Sequence, residues 1–196
     1  GKWNDLFLNF KEGYILELPK VNLERGLVAY YPFNGNAKDA SGNGNNADVK
    51  GAILKKDRHG VADKAYRFDG VKDSINCGTA MGLAPKDRIS ISAWIATTDK
   101  QAYILNRWTS YNDRGQTYGV GIQEGKPRFY LNGPVKKMDD FTLTGNEADI
   151  VDDQWHHIIA TWDKNGGDNN MKIFVDGKLA CQKTSPESSL ITSKWY

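Results

Sequence analysis

The sequence predicts an all-β fold, a sandwich of two antiparallel sheets, on three observations. From Gly26 onward, short β-rich runs recur between clusters of Gly, Asn and Asp, the pattern that packed strands and tight reversals produce. Helical periodicity is nearly absent. Asp176-Gly177 stands between two β runs, and both residue types tolerate the positive φ that a primed hairpin turn requires. At 196 residues the chain is long enough for one large sandwich and short for two ordinary domains.

The elements follow in order. Residues 1–25 read as a lead-in segment: Trp3–Phe10 offers a few apolar positions without continuation, and Pro19 interrupts them. The domain proper is expected over 26–196. Strands are expected at Leu27–Phe33, Ala65–Phe68, Ser74–Cys77, Ile89–Thr97, Ala102–Trp108, Thr117–Gln123, Arg128–Leu131, Trp155–Asp163, Met171–Val175 and Lys178–Lys183. Reversals fall at Glu124–Pro127, at Asn165–Asn170 and at Asp176-Gly177. In Ile89–Ile95 the isoleucines and Ala93 share one face, while Ser90, Ser92 and Trp94 take the other. Trp94 is therefore either a stacking platform or a ring covered by a loop or edge strand.

Composition narrows the partners. A net charge of +2, with acidic and basic residues interspersed, does not recommend nucleic acid or an anionic membrane. Lys136-Lys137 is answered at once by Asp139-Asp140. No apolar run approaches a bilayer span, and no signal-peptide pattern opens the chain. Cys77 and Cys181 form no CxxC pair, so they are either bridged or two buried thiols.

Five segments, in order, carry a family resemblance: the YPFNGNAxDxSGNGN run within Gly26–Asn45, the AxxFDGxxDxI pattern from Ala65 to Ile75, Ile89–Ile95, the WHH strand Trp155–Asp163, and the VDG hairpin Ile173–Leu179. Together they resemble the laminin G-like jelly rolls of the concanavalin A-like class. The resemblance implies a two-sheet jelly-roll β-sandwich and an extracytoplasmic binding module, secreted or at the cell surface. Family members usually run on to a closing strand that this chain lacks, and the sandwich is expected to be incomplete at that edge.

Four constellations could carry chemistry. The loop Asp39-Ala40-Ser41-Gly42-Asn43-Gly44 sets oxygen-bearing side chains at alternate positions with Gly sixth, like the first half of an EF-hand. Lys50 at the twelfth position excludes an EF-hand, but Asp39, Ser41, Asn43 and Asn45 still suit a hard, oxygen-ligated Ca²⁺. The resemblance points the same way, since many laminin G-like domains hold calcium near this loop. The same residues also suit a tight turn built on left-handed Asn and Gly. His156 and His157, adjacent on a strand, point to opposite faces and are read as structural. Glu147, Asp149 and Asp152 imitate the ExDxxE strand of jelly-roll glucanases, whose carboxyls must stand about 5–5.5 Å apart for retaining hydrolysis; the match is read as chance.

The fourth constellation is aromatic. Tyr103, Trp108, Tyr111 and Tyr118 fall near Arg107, Asn112, Asp113, Arg114 and Gln116. Rings stack on sugar C–H faces while planar polar side chains bond the hydroxyls; alternatively the rings pack the core. Arg107, Trp108, Tyr111 and Asn112 are the candidate ligand set. The expected function is a non-catalytic carbohydrate-binding module, possession of Ca²⁺ being a structural matter. A protein-adhesion module is the alternative, and a glycoside hydrolase a distant one.

Overall fold

A computed structural model of the chain describes residues 25–78, 80–83, 87–107, 117–132, 142–145 and 149–185. The expected lead-in segment lies almost wholly outside them. Among the described residues twelve strands form: β1 (Asp48–Lys50), β2 (Ile53–Lys55), β3 (Ala65–Arg67), β4 (Ser74–Asn76), β5 (Arg88–Ile95), β6 (Gln101–Arg107), β7 (Thr117–Gln123), β8 (Lys126–Asn132), β9 (Thr142–Thr144), β10 (His156–Asp163), β11 (Met171–Val175) and β12 (Lys178–Lys183). A 3₁₀ turn, Met81–Leu83, lies between β4 and β5.

Two four-stranded antiparallel sheets dominate, one in the order β12-β11-β10-β5 and the other β6-β7-β8-β9. Two small ribbons are nested ahead of them, β2 on β3 inside β1 on β4. Alternation decides the core. Ile158, Ala160 and Trp162 of β10 and Met171, Ile173 and Val175 of β11 meet Tyr118, Val120 and Ile122 of β7 and Phe129 and Leu131 of β8. Ile91 is buried with them, and Ile89 and Ile95 pack against the cluster, while Ser92 and Trp94 face outward. The period-two reading of β5 therefore holds.

Turn chemistry follows the backbone. Asp176 and Gly177 both adopt positive φ, 49° and 79°, as a primed two-residue hairpin demands. Glu124 and Gly125 repeat the device between β7 and β8, at 53° and 80°.

The expected strand Leu27–Phe33 does not form. Its polar backbone is satisfied by the side chains of the loop that follows: Tyr30 N donates to Asp39 Oδ1 at 2.9 Å, and Leu27 O and Val28 O accept from Asn43 and Asn45. Phe33 at φ 51° bends the chain out of extended geometry. Side-chain partners here replace a strand neighbour. Strands β1, β2 and β9 were not expected; each has three residues, too few for an alternation signal.

Both cysteines are free thiols. Burial pushes the Cys181 thiol up to about 11.

Candidate functional site

The outward face of the β6–β9 sheet has an unusual sequence beneath it. In β7, Tyr118, Val120 and Ile122 point into the core, so Gly119 and Gly121 alternate with them on the outer face. The central strand therefore presents a bare strip. On β8 the neighbours of that strip are Arg128 and Tyr130, since Phe129 and Leu131 face the core.

The β6 edge completes it through a bulge. Tyr103 pairs with Gly121 and Leu105 with Val120, leaving one extra residue in β6. Without that insertion Tyr103 and Asn106, three apart, would face opposite sides. With it, both overlook the glycine strip, in the rows Tyr103–Gly121–Arg128 and Asn106–Gly119–Tyr130.

The glycines are required by what lies across them. A Cβ on Gly119 would overlap the hydroxyl and ring of Tyr130, and one on Gly121 would stand 2.5 Å from Ala102 O. Tyr130 leans across Gly119 and donates its hydroxyl to Asn106 Oδ1 at 2.5 Å. Burial pushes its phenol up to about 12, so the ring stays neutral. The Arg128 guanidinium lies 5.2 Å over the Tyr130 ring. A cavity of about 220 Å³ results, lined by Gln101, Tyr103, Gly121, Ile122, Arg128 and Tyr130 together with Ala102. Tyr103 is 71% exposed beside it.

The aromatic set proposed from sequence therefore divides. Tyr118 is core: it is 6% exposed and donates its hydroxyl to Leu83 O at 2.8 Å. Tyr103 is surface. Arg107 ends β6, paired with Tyr118 in register. Trp108, Tyr111 and Asn112 lie outside the described residues. Arg128 and Tyr130 were missed, although the alternating glycines of β7 mark an empty face and the Arg-Phe-Tyr-Leu alternation of β8 marks what borders it.

The Asp39 loop is closed on itself. Asp39 Oδ1 accepts from Tyr30 N and Ser41 N at 2.9 and 2.8 Å, and Oδ2 from the Ser41 hydroxyl and Asn45 N at 2.8 and 2.9 Å. Burial pushes the carboxyl up, but these bonds outweigh it and hold it at about 2. The Asn43 and Asn45 amides both donate to Val28 O. Donors rather than oxygens thus point inward, and the loop's one carboxylate is already engaged four times. This donor set fits a self-satisfied turn and does not fit an oxygen-lined calcium cage as it stands. Among the described residues, no cluster of three His, Cys, Asp or Glu side chains could hold a metal ion.

The two histidines separate as expected. His156 bridges Asp176 Oδ2 at 2.8 Å and Asp152 Oδ1 at 3.0 Å. Burial pushes its imidazole down, but the two carboxylates outweigh that and raise it. His157, on the other face, bonds the Ser92 hydroxyl at 2.8 Å and stacks on Trp94 at 4.7 Å; burial first, and the Arg58 charge after it, lower its pKa. Arg58, in the β2–β3 loop, lies 4.4 Å over the Trp94 ring. The β2–β3 loop therefore sets one side chain over that tryptophan, which stays 42% exposed. Of the glucanase-like acids, Asp149 and Asp152 accept turn bonds from Val151 N and Gln154 N, and Glu147 lies outside the described residues.

A family model described as "Concanavalin A-like lectin/glucanases superfamily" matches residues 69–196, more than half of the chain. No curated protein matches it. Among solved structures, the chain is similar to the binding domain of Paraclostridial Mosquitocidal Protein 1, with TM-score 0.70 and 18% identity over 88% of this chain and 44% of that one. It is also similar to the binding domain of botulinum neurotoxin DC in complex with SialylT, with TM-score 0.55 and 19% identity over 80% and 39% of the two chains. The receptor binding domain of botulinum neurotoxin D gives 0.51 and 16% over 78% and 40%. The chain spans less than half the length of each. These likenesses establish the two-sheet jelly-roll fold.

Proposed function

The chain belongs to the concanavalin A-like lectin/glucanases superfamily, and from that premise we propose that it is a non-catalytic, extracytoplasmic binding module for carbohydrate. One observation carries the reading: the β6–β9 cavity sets an exposed ring, Tyr103, beside the Gln101 amide and the Arg128 guanidinium. Sugars are held by this combination, with C–H faces on the ring and hydroxyls on planar polar groups. At about 220 Å³ the cavity suits a single sugar ring rather than a drug-sized ligand, for which about 300–1,000 Å³ is usual. The loop set Arg107, Trp108, Tyr111 and Asn112 is a second proposed contact region, on the same strand and its continuation. The non-catalytic reading is supported by the turn bonds that occupy Asp149 and Asp152.

A glycan array tests the proposal, with Tyr103→Ala and Trp108→Ala as paired variants. Loss of signal in Tyr103→Ala supports the cavity, and loss only in Trp108→Ala moves the site to the loop. A second reading, protein adhesion, is favoured by Phe68 and Val71, which are 46% and 90% exposed around the turn after β3. Capture of a protein partner with an empty array would replace the carbohydrate reading by this one.

A further inference from the structure

The β6–β9 cavity holds a charge that no carboxylate of the described residues answers. Among the described residues Arg128 is its only charged lining residue, and no carboxylate lines it. Among the described residues Arg128 makes no ion pair. Its Nε is shut off from solvent with no hydrogen-bond acceptor. Its cross-strand neighbours are Gly121, which has no side chain, and Thr144, which is neutral. Tyr130 cannot supply the missing negative charge, because its phenol is held protonated and its hydrogen is given to Asn106.

A guanidinium left without a partner carries an unspent donor, which is costly where water cannot reach it. The Arg128 guanidinium carbon lies 5.2 Å from the Tyr130 ring centroid, a cation–π contact that holds the head group at the cavity wall. A planar, uncompensated guanidinium matches a carboxylate, which it can bond through two parallel N–H groups. We infer that the cavity selects an acidic sugar, one bearing a carboxylate, over its neutral counterpart, and that Arg128 is the selecting residue. Tyr103 and Gln101 then hold the ring and its hydroxyls, which any sugar offers, while Arg128 reads the acid.

This inference rests on the reading of the cavity as a sugar site, and the experiment separates the two. The protein is applied to an array of saccharides ending in uronate or sialate, each beside its carboxyl-reduced and its sulfated counterpart. For the strongest acidic saccharide and its carboxyl-reduced form, Kd is then measured by calorimetry. The acid is expected to bind at least about tenfold tighter, the worth of a charged hydrogen bond. Arg128→Gln should bring the pair to within about threefold, and Arg128→Lys, which keeps charge without the fork, should fall between. An unchanged melting transition in both variants confirms that the fold is intact. Equal binding of acid and neutral forms would overturn the inference and leave the sugar site standing. Equal preference for sulfate and carboxylate would overturn the choice of carboxylate. Binding to no saccharide would remove both readings.

Discussion

Replacing Gly119 by Ala should destabilise the fold through one identifiable neighbour, Tyr130. The added Cβ would overlap the Tyr130 hydroxyl and stand 2.8 Å from ring carbon Cε1. The ring has to swing away from the sheet, which ends its bond to Asn106 Oδ1. Overpacking of this kind costs about 1–3 kcal/mol and the lost bond about 0.5–1.5 kcal/mol. Against that, Gly119 lies outside the left-handed region, so Ala lowers the entropy of the unfolded chain and returns about 0.4–1 kcal/mol. A net loss of about 2 kcal/mol follows. In a Tyr130→Ala background the obstacle is gone, and Gly119→Ala should be neutral or stabilising by up to about 1 kcal/mol. Urea unfolding of the four proteins measures the coupling, read from midpoints at constant m. If Gly119→Ala costs the same in both backgrounds, within about 0.5 kcal/mol, the claim that Tyr130 dictates this glycine is wrong.

Four further outcomes can be checked. The Asp39 carboxyl is lowered from 3.8 to about 2 on folding, so it stabilises the fold above pH 3.8 and this contribution is lost as pH falls toward 2; Asp39→Ala should abolish that segment of the acid-unfolding curve. His157 is lowered from 6.5 and His156 raised from it, so their effects oppose: urea midpoints should fall below pH 6.5 in His156→Gln, where only the buried neutral His157 remains, and fall above pH 6.5 in His157→Gln, where His156 loses its proton. Profiles of the same slope in both variants would contradict the assignments. Ellman titration should find two thiols in denaturant, with Cys181 slow in the native state because burial holds its thiol near 11; no thiols would mean a disulfide. Because Asp39 is already engaged four times, saturating Ca²⁺ should leave the melt where a chelator leaves it, and a raised transition would show that the loop opens to bind the ion.

Strand alternation was legible wherever a strand was long enough to show it and one face was buried. Thr117–Gln123, Met171–Val175 and Lys178–Lys183 form with the bounds that pattern and turn residues predict, because side-chain direction alternates with every residue and the core accepts one parity only. The opposite faces of His156 and His157, and the turn at Asp176-Gly177, follow from the same local geometry. Leu27–Phe33 has strand-like composition but bonds to Asp39, Asn43 and Asn45 instead. Composition reports how a segment can pair, and only the assembled loop decides with what.

The site needed tertiary structure for a comparable reason. That β7 has a bare face is written in Gly119 and Gly121, and the aromatic supply is written in Tyr103 and Tyr130. Their meeting depends on register across three strands and on one extra residue in β6, which turns Asn106 to the same side as Tyr103. A shift of one position would exchange the faces. The sequence by itself determined a β-sandwich of alternating, one-sided strands, because those preferences are local, and its five ordered motifs pointed by resemblance to a jelly-roll. Which residues share the outer surface, and that Arg128 stands there without a carboxylate among the described residues, were decided by pairing between segments distant in sequence, which no local preference encodes.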